Sequence, residues 1–108
     1  MTITKELILN IVRLMSSKDD KNIKMAKTIC KNNNIDIINE IPDFLNDYNK
    51  EQLFEMLKCL QSYYKNIKND LGSKYYWQTQ DNYTKKQIKI LSEIDKINMT
   101  INLKLLNL

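Results

Sequence analysis

Apolar residues recur every three or four positions along most of this chain, the spacing that gathers them on one face of an α-helix. From about Thr4 to Met15 (4–15), Leu7, Ile8, Ile11, Val12, Leu14 and Met15 make a wide apolar face. The polar run Ser16–Asp20 breaks it, and either aspartate has the short side chain that caps a following helix. A second helix is predicted over about 20–32, with Ile23, Ala26, Ile29 and Cys30 on one side and Lys21, Lys24, Lys27 and Lys31 on another. Asn32, Asn33 and Asn34 end it, because asparagine tolerates the left-handed conformation found at helix C-termini.

A third segment, 35–48, sets Ile38, Ile41, Leu45 and Tyr48 against an acidic face of Asp36, Glu40, Asp43 and Asp47. Pro42 interrupts it, since proline inside a helix removes a donor and clashes with the preceding turn. The expectation is a kink there, or a second short helix beginning at the proline. The fourth helix, 50–71, opens on a capping box, Asn49 with Gln52, and stops at Gly72. Its seam of Leu53, Leu57, Leu60, Tyr64, Ile67 and Leu71 suits packing against a neighbouring helix. A fifth helix, 84–106, is predicted to start near Thr84 with Gln87 at its third position, and carries Ile88, Leu91, Ile94, Ile97, Ile101 and Leu105. The final INLKLLNL also alternates with period two, so a short strand is the second reading of that stretch. Short connections and amphipathic faces together predict one all-α domain over 1–108, a compact antiparallel bundle of four to five helices.

Composition narrows the chemistry. The chain has no histidine, which removes the commonest general base and metal ligand and excludes a Cys–His nucleophile. Cys30 and Cys59 cannot close a structural zinc site alone, and without an export signal they read as two reduced, buried thiols. A single glycine excludes the phosphate-cradling loops of nucleotide-binding folds. Asp36/Glu40, Asp43/Asp47 and Glu51/Glu55 are carboxylate pairs four apart, but such pairs are usually a solvated helix face, and helical di-metal sites add a Glu-x-x-His motif absent here. The expectation is a non-enzyme with no cofactor and no metal. No run approaches the ~18 apolar residues of a membrane span, and the N-terminus reads as a helix and not a signal peptide, so a cytoplasmic location is expected.

Charge is unevenly placed. Residues 1–33 carry seven lysines or arginines against three acids, 34–57 one against six, and 58–108 nine against four, so a net +4 conceals a basic–acidic–basic order. Ile, Lys and Asn, all with AT-rich codons, are abundant, which points to an AT-rich bacterial, phage or viral genome and supplies a compositional origin for the lysines. Arginine, the better bidentate phosphate ligand, occurs once, at Arg13.

Three surfaces are candidates for binding. Six of the nine aromatics lie within 63–83, and Tyr75, Tyr76, Trp77 and Tyr83 sit where the chain leaves the fourth helix, suited to an interface hot spot. The acidic face Asp36, Glu40, Asp43 and Asp47 suits a basic partner surface, including that of a nucleic-acid-binding protein. The stripe Lys21, Lys24, Lys27 and Lys31 is the alternative, a nucleic-acid contact. A helix-turn-helix over 20–41 fails, because the apolar position six beyond Cys30 is Asp36 and the recognition helix would be acidic. Ile90, Leu103 and Leu106 fall outside the main stripe of the fifth helix, which favours a partner or self-association there. In size, charge and helical content the chain resembles small helical bacteriocin-immunity proteins and phage-encoded inhibitors, though no residue motif carries the likeness. The reading is a protein-binding module, an inhibitor, immunity protein or complex subunit that occupies a partner surface.

Overall fold

The computed structural model describes residues 2–72 and 81–108, without the side chain of Tyr83. Five α-helices account for most of these: α1 Lys5–Met15, α2 Asp20–Asn32, α3 Ile37–Phe44, α4 Lys50–Gly72 and α5 Asn82–Leu106, with a 3-10 turn, Leu45–Asp47, after α3. No strand occurs among the described residues. The chain is an all-α bundle.

Short polar side chains set most of the helix starts. Thr4 Oγ1 accepts from the Leu7 N–H at 3.1 Å and Asp19 Oδ1 from the Lys21 N–H at 2.9 Å, each filling a donor that the first turn leaves open. At α4 the capping box closes in both directions, Gln52 N–H to Asn49 Oδ1 at 2.8 Å and Asn49 N–H to Gln52 Oε1 at 3.1 Å. The asparagine run ends α2 as a Schellman motif. Asn34 takes φ 54°, the Ile35 N–H returns to the Cys30 carbonyl at 2.8 Å, and the Asn34 N–H to the Lys31 carbonyl at 3.4 Å. Ile35, carried inward by that turn, is buried.

Several boundaries differ from the sequence reading. The third segment runs from Ile37 to Phe44 and not from 35 to 48, and Pro42 lies inside it instead of opening a new helix. Proline withholds the N–H that the Ile38 carbonyl would take, and the Leu45 N–H bonds back three residues to the Pro42 carbonyl, so α3 tightens into the 3-10 turn. Gly72 is itself helical, and its φ is not positive. Thr84 does not cap α5: Asp81 does, accepting from the Thr84 N–H at 2.6 Å. Gln87 is thereby released to donate from Nε2 to Asp70 Oδ2 on α4 at 2.8 Å. The final residues are helix and not strand through Leu106, which keeps Ile101 in the core.

The core forms around α1, which packs on α2, α3 and α4, while α5 closes the far side against α4 and α3. Ile8, Ile11 and Val12 of α1 meet Ile41 of α3, Leu53, Met56 and Leu60 of α4, and Ile94 and Ile101 of α5 in one buried cluster. Helices α4 and α5 are antiparallel, since Gln87 at the start of α5 meets Asp70 late in α4, while Lys104 near the other end bonds Asn46 just before α4. Helices α1 and α4 run parallel, a departure from the fully antiparallel expectation. Tyr48 meets Lys5, Arg13 meets Glu55, and Asn66 Nδ2 reaches the Ser17 carbonyl, with both positions rising together. The route through α2 and α3 makes this parallel return feasible.

The Tyr48 hydroxyl donates to the Lys5 carbonyl at 2.6 Å and the Lys5 ammonium to the Asp47 carbonyl at 2.9 Å, which latches the start of α1 to the turn before α4. Burial pushes the Tyr48 phenol up to about 12, with the charges of Glu6 and Asp47 adding. Because the folded chain holds the neutral phenol, this contribution to stability is complete below about pH 10, the ordinary tyrosine value, and is lost as pH rises toward 12. Tyr48→Phe is expected to cost about 1 kcal/mol at neutral pH. The difference in melting temperature between wild type and variant should shrink between pH 10 and 12. A pH-independent difference in thermal unfolding would contradict the latch.

Candidate functional site

The acidic face is built by α3 and the turn that follows. Asp36 stands at the N-cap of α3 with its Oδ2 accepting from Asn39 Nδ2 at 2.7 Å, not from the backbone. Asp36, Asp43 and Asp47 are exposed and Glu40 is half-buried. None of the four joins an ion pair among the described residues, where the pairs are Arg13–Glu55 and Lys96–Glu93. The four are divided among the N-cap, α3 and the 3-10 turn, and so do not all belong to one helix.

The carboxylates of α4 have a different fate. Both oxygens of Glu55 are held by the Arg13 guanidinium, Nη2 to Oε2 at 2.7 Å, and Asn10 Oδ1 accepts from Nη1 at 2.6 Å. The hydrogen bond from Arg13 keeps the Glu55 carboxyl below its ordinary value and the guanidinium raised. A carboxylate fixed in a bidentate fork is poorly placed for proton transfer, so Glu55 serves the junction of α1 and α4, while Glu51 is exposed. Cys30 and Cys59 are free thiols, half-buried and not buried as the sequence suggested. Burial pushes the Cys30 thiol up, with Asp36 adding, which leaves the unreactive protonated form. No group of three or more Cys, Asp or Glu residues arranged to hold a metal ion occurs among the described residues.

The lysine stripe lies along α2 as the spacing required. Lys21, Lys24, Lys27 and Lys31 are all exposed opposite buried Ala26, over about 15 Å of helix at 1.5 Å per residue. None of them pairs with an acid among the described residues. The aromatic surface cannot be placed in this way: Tyr75, Tyr76 and Trp77 lie outside the described residues, as does the side chain of Tyr83.

Two further surfaces bear on binding, the first of them partly legible in the sequence. One is the outer face of α5. Met99, Leu103 and Leu106 are 66%, 57% and 81% exposed at spacings of four and three, which places them in one row facing away from the core. Leu103 and Leu106 were legible as outliers, but Met99 was not, and Ile88 was placed in the core although it is 51% exposed. Lys104 bonds Asn46, between Asp43 and Asp47 in sequence, so this end of α5 lies beside the acidic segment. The other is a groove of about 360 Å³ where α1, α2, α4 and α5 converge, with Ile23, Ile67 and Ile90 in its wall and Lys27, Lys86 and Gln87 around them. Among the described residues no helix is long and apolar enough to cross a membrane. No protein-family model, curated protein or solved structure matches the chain, so its functional reading rests on geometry and chemistry alone.

Proposed function

We propose that the chain works by binding another protein and not by catalysis, in the manner of a small inhibitor, immunity protein or complex subunit. The observation that carries this reading is the apolar row Met99, Leu103 and Leu106 on the outer face of α5. Three large aliphatic side chains in register on a solvent face have no role in the core. Covering each by a partner is worth about 1.5–3 kcal/mol. Asp43 and Asp47, neither in an ion pair among the described residues, flank the same end of the helix, with Lys104, bonded to Asn46, as a nearby base. Acid beside an apolar centre favours a basic protein surface there. The exposed Asp36 and half-buried Glu40 extend that acidic rim along α3.

The test is affinity capture from source cells with wild type and with Met99→Lys plus Leu103→Lys. The double variant is expected to lose the captured protein while its circular dichroism and thermal unfolding match wild type, since both side chains are exposed. Retained capture would remove α5 from the interface. Sedimentation velocity of the purified chain separates the two kinds of occupant, a second copy giving a dimer and a different protein a monomer. A second reading, nucleic-acid binding through Lys21, Lys24, Lys27 and Lys31, is favoured by their common exposure and lack of acidic partners. It requires affinity that falls steeply with salt, and absence of binding to DNA or RNA at low salt removes it.

A further inference from the structure

We propose that the groove between α1, α2, α4 and α5 is a second recognition site, which accepts a tryptophan or tyrosine side chain from an acidic segment of a partner protein. Its volume of about 360 Å³ holds one aromatic side chain with room for the backbone that carries it. Ile23, Ile67 and Ile90 supply an apolar wall. Gln87 supplies the specificity. This side chain is only 7% exposed, and its Nε2 is committed to Asp70, while its buried Oε1 has no hydrogen-bond partner among the described residues. A buried acceptor left unpaired is costly, so an incoming group that presents an N–H or O–H donor is favoured over one that does not. The indole N–H and the phenol O–H are donors on aromatic bodies that match the apolar wall.

Charge selects the flanking residues. Lys27 from α2 and Lys86 from α5 line the groove from two sides and are exposed, against one lining acid, Asp70, whose Oδ2 accepts from Gln87 Nε2. Lys24, Lys31, Lys85 and Lys89 belong to the same two helices and are exposed as well. Carboxylates on either side of the aromatic anchor meet a positive surface, whereas lysines there would be repelled. The proposal rests on the protein-binding reading only for the nature of the occupant, and it concerns a different face from the α5 row.

The experiment is an NMR titration of the whole chain with three acetylated, amidated tripeptides. One has Trp between two glutamates, one Phe between two glutamates, and one Trp between two lysines. The expected result is movement of the Ile23, Ile67 and Ile90 methyl resonances. Trp should bind about 5- to 10-fold more tightly than Phe, the scale of one hydrogen bond to a neutral acceptor. The lysine-flanked peptide should bind at least roughly 10-fold more weakly than its acidic counterpart. Gln87→Met is expected to erase the difference between Trp and Phe, and Lys27→Glu with Lys86→Glu to erase the preference for acidic flanks. Leu103→Lys should leave all three titrations unchanged, so failure of this site and failure of the α5 interface are told apart. Unmoved methyl resonances at millimolar peptide would overturn the proposal. So would equal affinity for Trp and Phe, which shows that the Gln87 oxygen is not reached from the groove. Binding that emerges only in Trp77→Ala would overturn it too, by giving the groove to the chain's own indole.

Discussion

Ile11→Ala is expected to lower the unfolding free energy by about 3–4 kcal/mol, within the range found for emptying a buried aliphatic site. Ile11 is fully buried on α1, the helix that packs on α2, α3 and α4 together, so a void there opens toward three neighbours that cannot all close on it. A domain of this size is stable by about 5–15 kcal/mol, so the substitution removes a large fraction of what holds it folded. Equilibrium denaturation in urea measures the loss, with an unchanged slope marking a change in stability and not in compactness. A loss below about 1 kcal/mol would contradict the central position of α1.

Met56→Ala and Leu57→Ala form a second, sharper expectation. The four–three alternation of α4 selects Leu57 for the seam and passes over Met56. In the fold Met56 is fully buried, and Leu57 is half-buried. Helix α4 is packed by α1 on one side and α5 on the other, which widens its buried arc and turns its centre toward Met56 and Ile67. Tyr64, placed in the seam by spacing, is half-buried with the Lys68 ammonium 5.7 Å from its ring centre. Met56→Ala is therefore expected to cost about 2–4 kcal/mol and Leu57→Ala roughly half as much. The reverse order in the same denaturation experiment would show that the simple seam describes α4 better than the packing does.

These two residues mark where the sequence stopped being legible. Local signals transferred well, because they depend on neighbours in the chain. The Asn49–Gln52 box and the left-handed Asn34 act within a few residues, and both occur as read. Phase errors appear where a pattern is extended through repeated steps. From Ile88 to Ile97 the apolar residues fall three apart each time, and each step of three lags a full turn by about 60°. Ile88 and Ile97 thus end on opposite sides of α5, and the core keeps Ile97. The cap of α5 is Asp81 and not Thr84, and Gln87 is engaged by Asp70 in a tertiary contact that spacing does not contain.

The candidate site divides in the same way. That the lysines of 21–31 share a face follows from helical spacing, and the fold keeps all four on the surface. The acids of 36–47 are instead spread over the N-cap, α3 and the 3-10 turn, with the three aspartates exposed. That Glu55 is taken by Arg13 across 42 residues, or that Gln87 holds a buried oxygen without a partner, depends on how distant helices meet. The groove joins Met15 to Ile90, and nothing local in either segment announces it.

The central claim is that the chain binds a protein through the outer face of α5 and its acidic flank. It is tested most directly by capturing partners in parallel with Met99→Lys/Leu103→Lys and with Lys21→Gln/Lys24→Gln/Lys31→Gln, and assaying the captured material for protein and for nucleic acid. Lys27 is left intact because it lines the groove. The account predicts a captured protein that is lost with the α5 variant and retained by the lysine variant. Nucleic acid as the captured species, lost with the lysine variant and retained by the α5 variant, would contradict it.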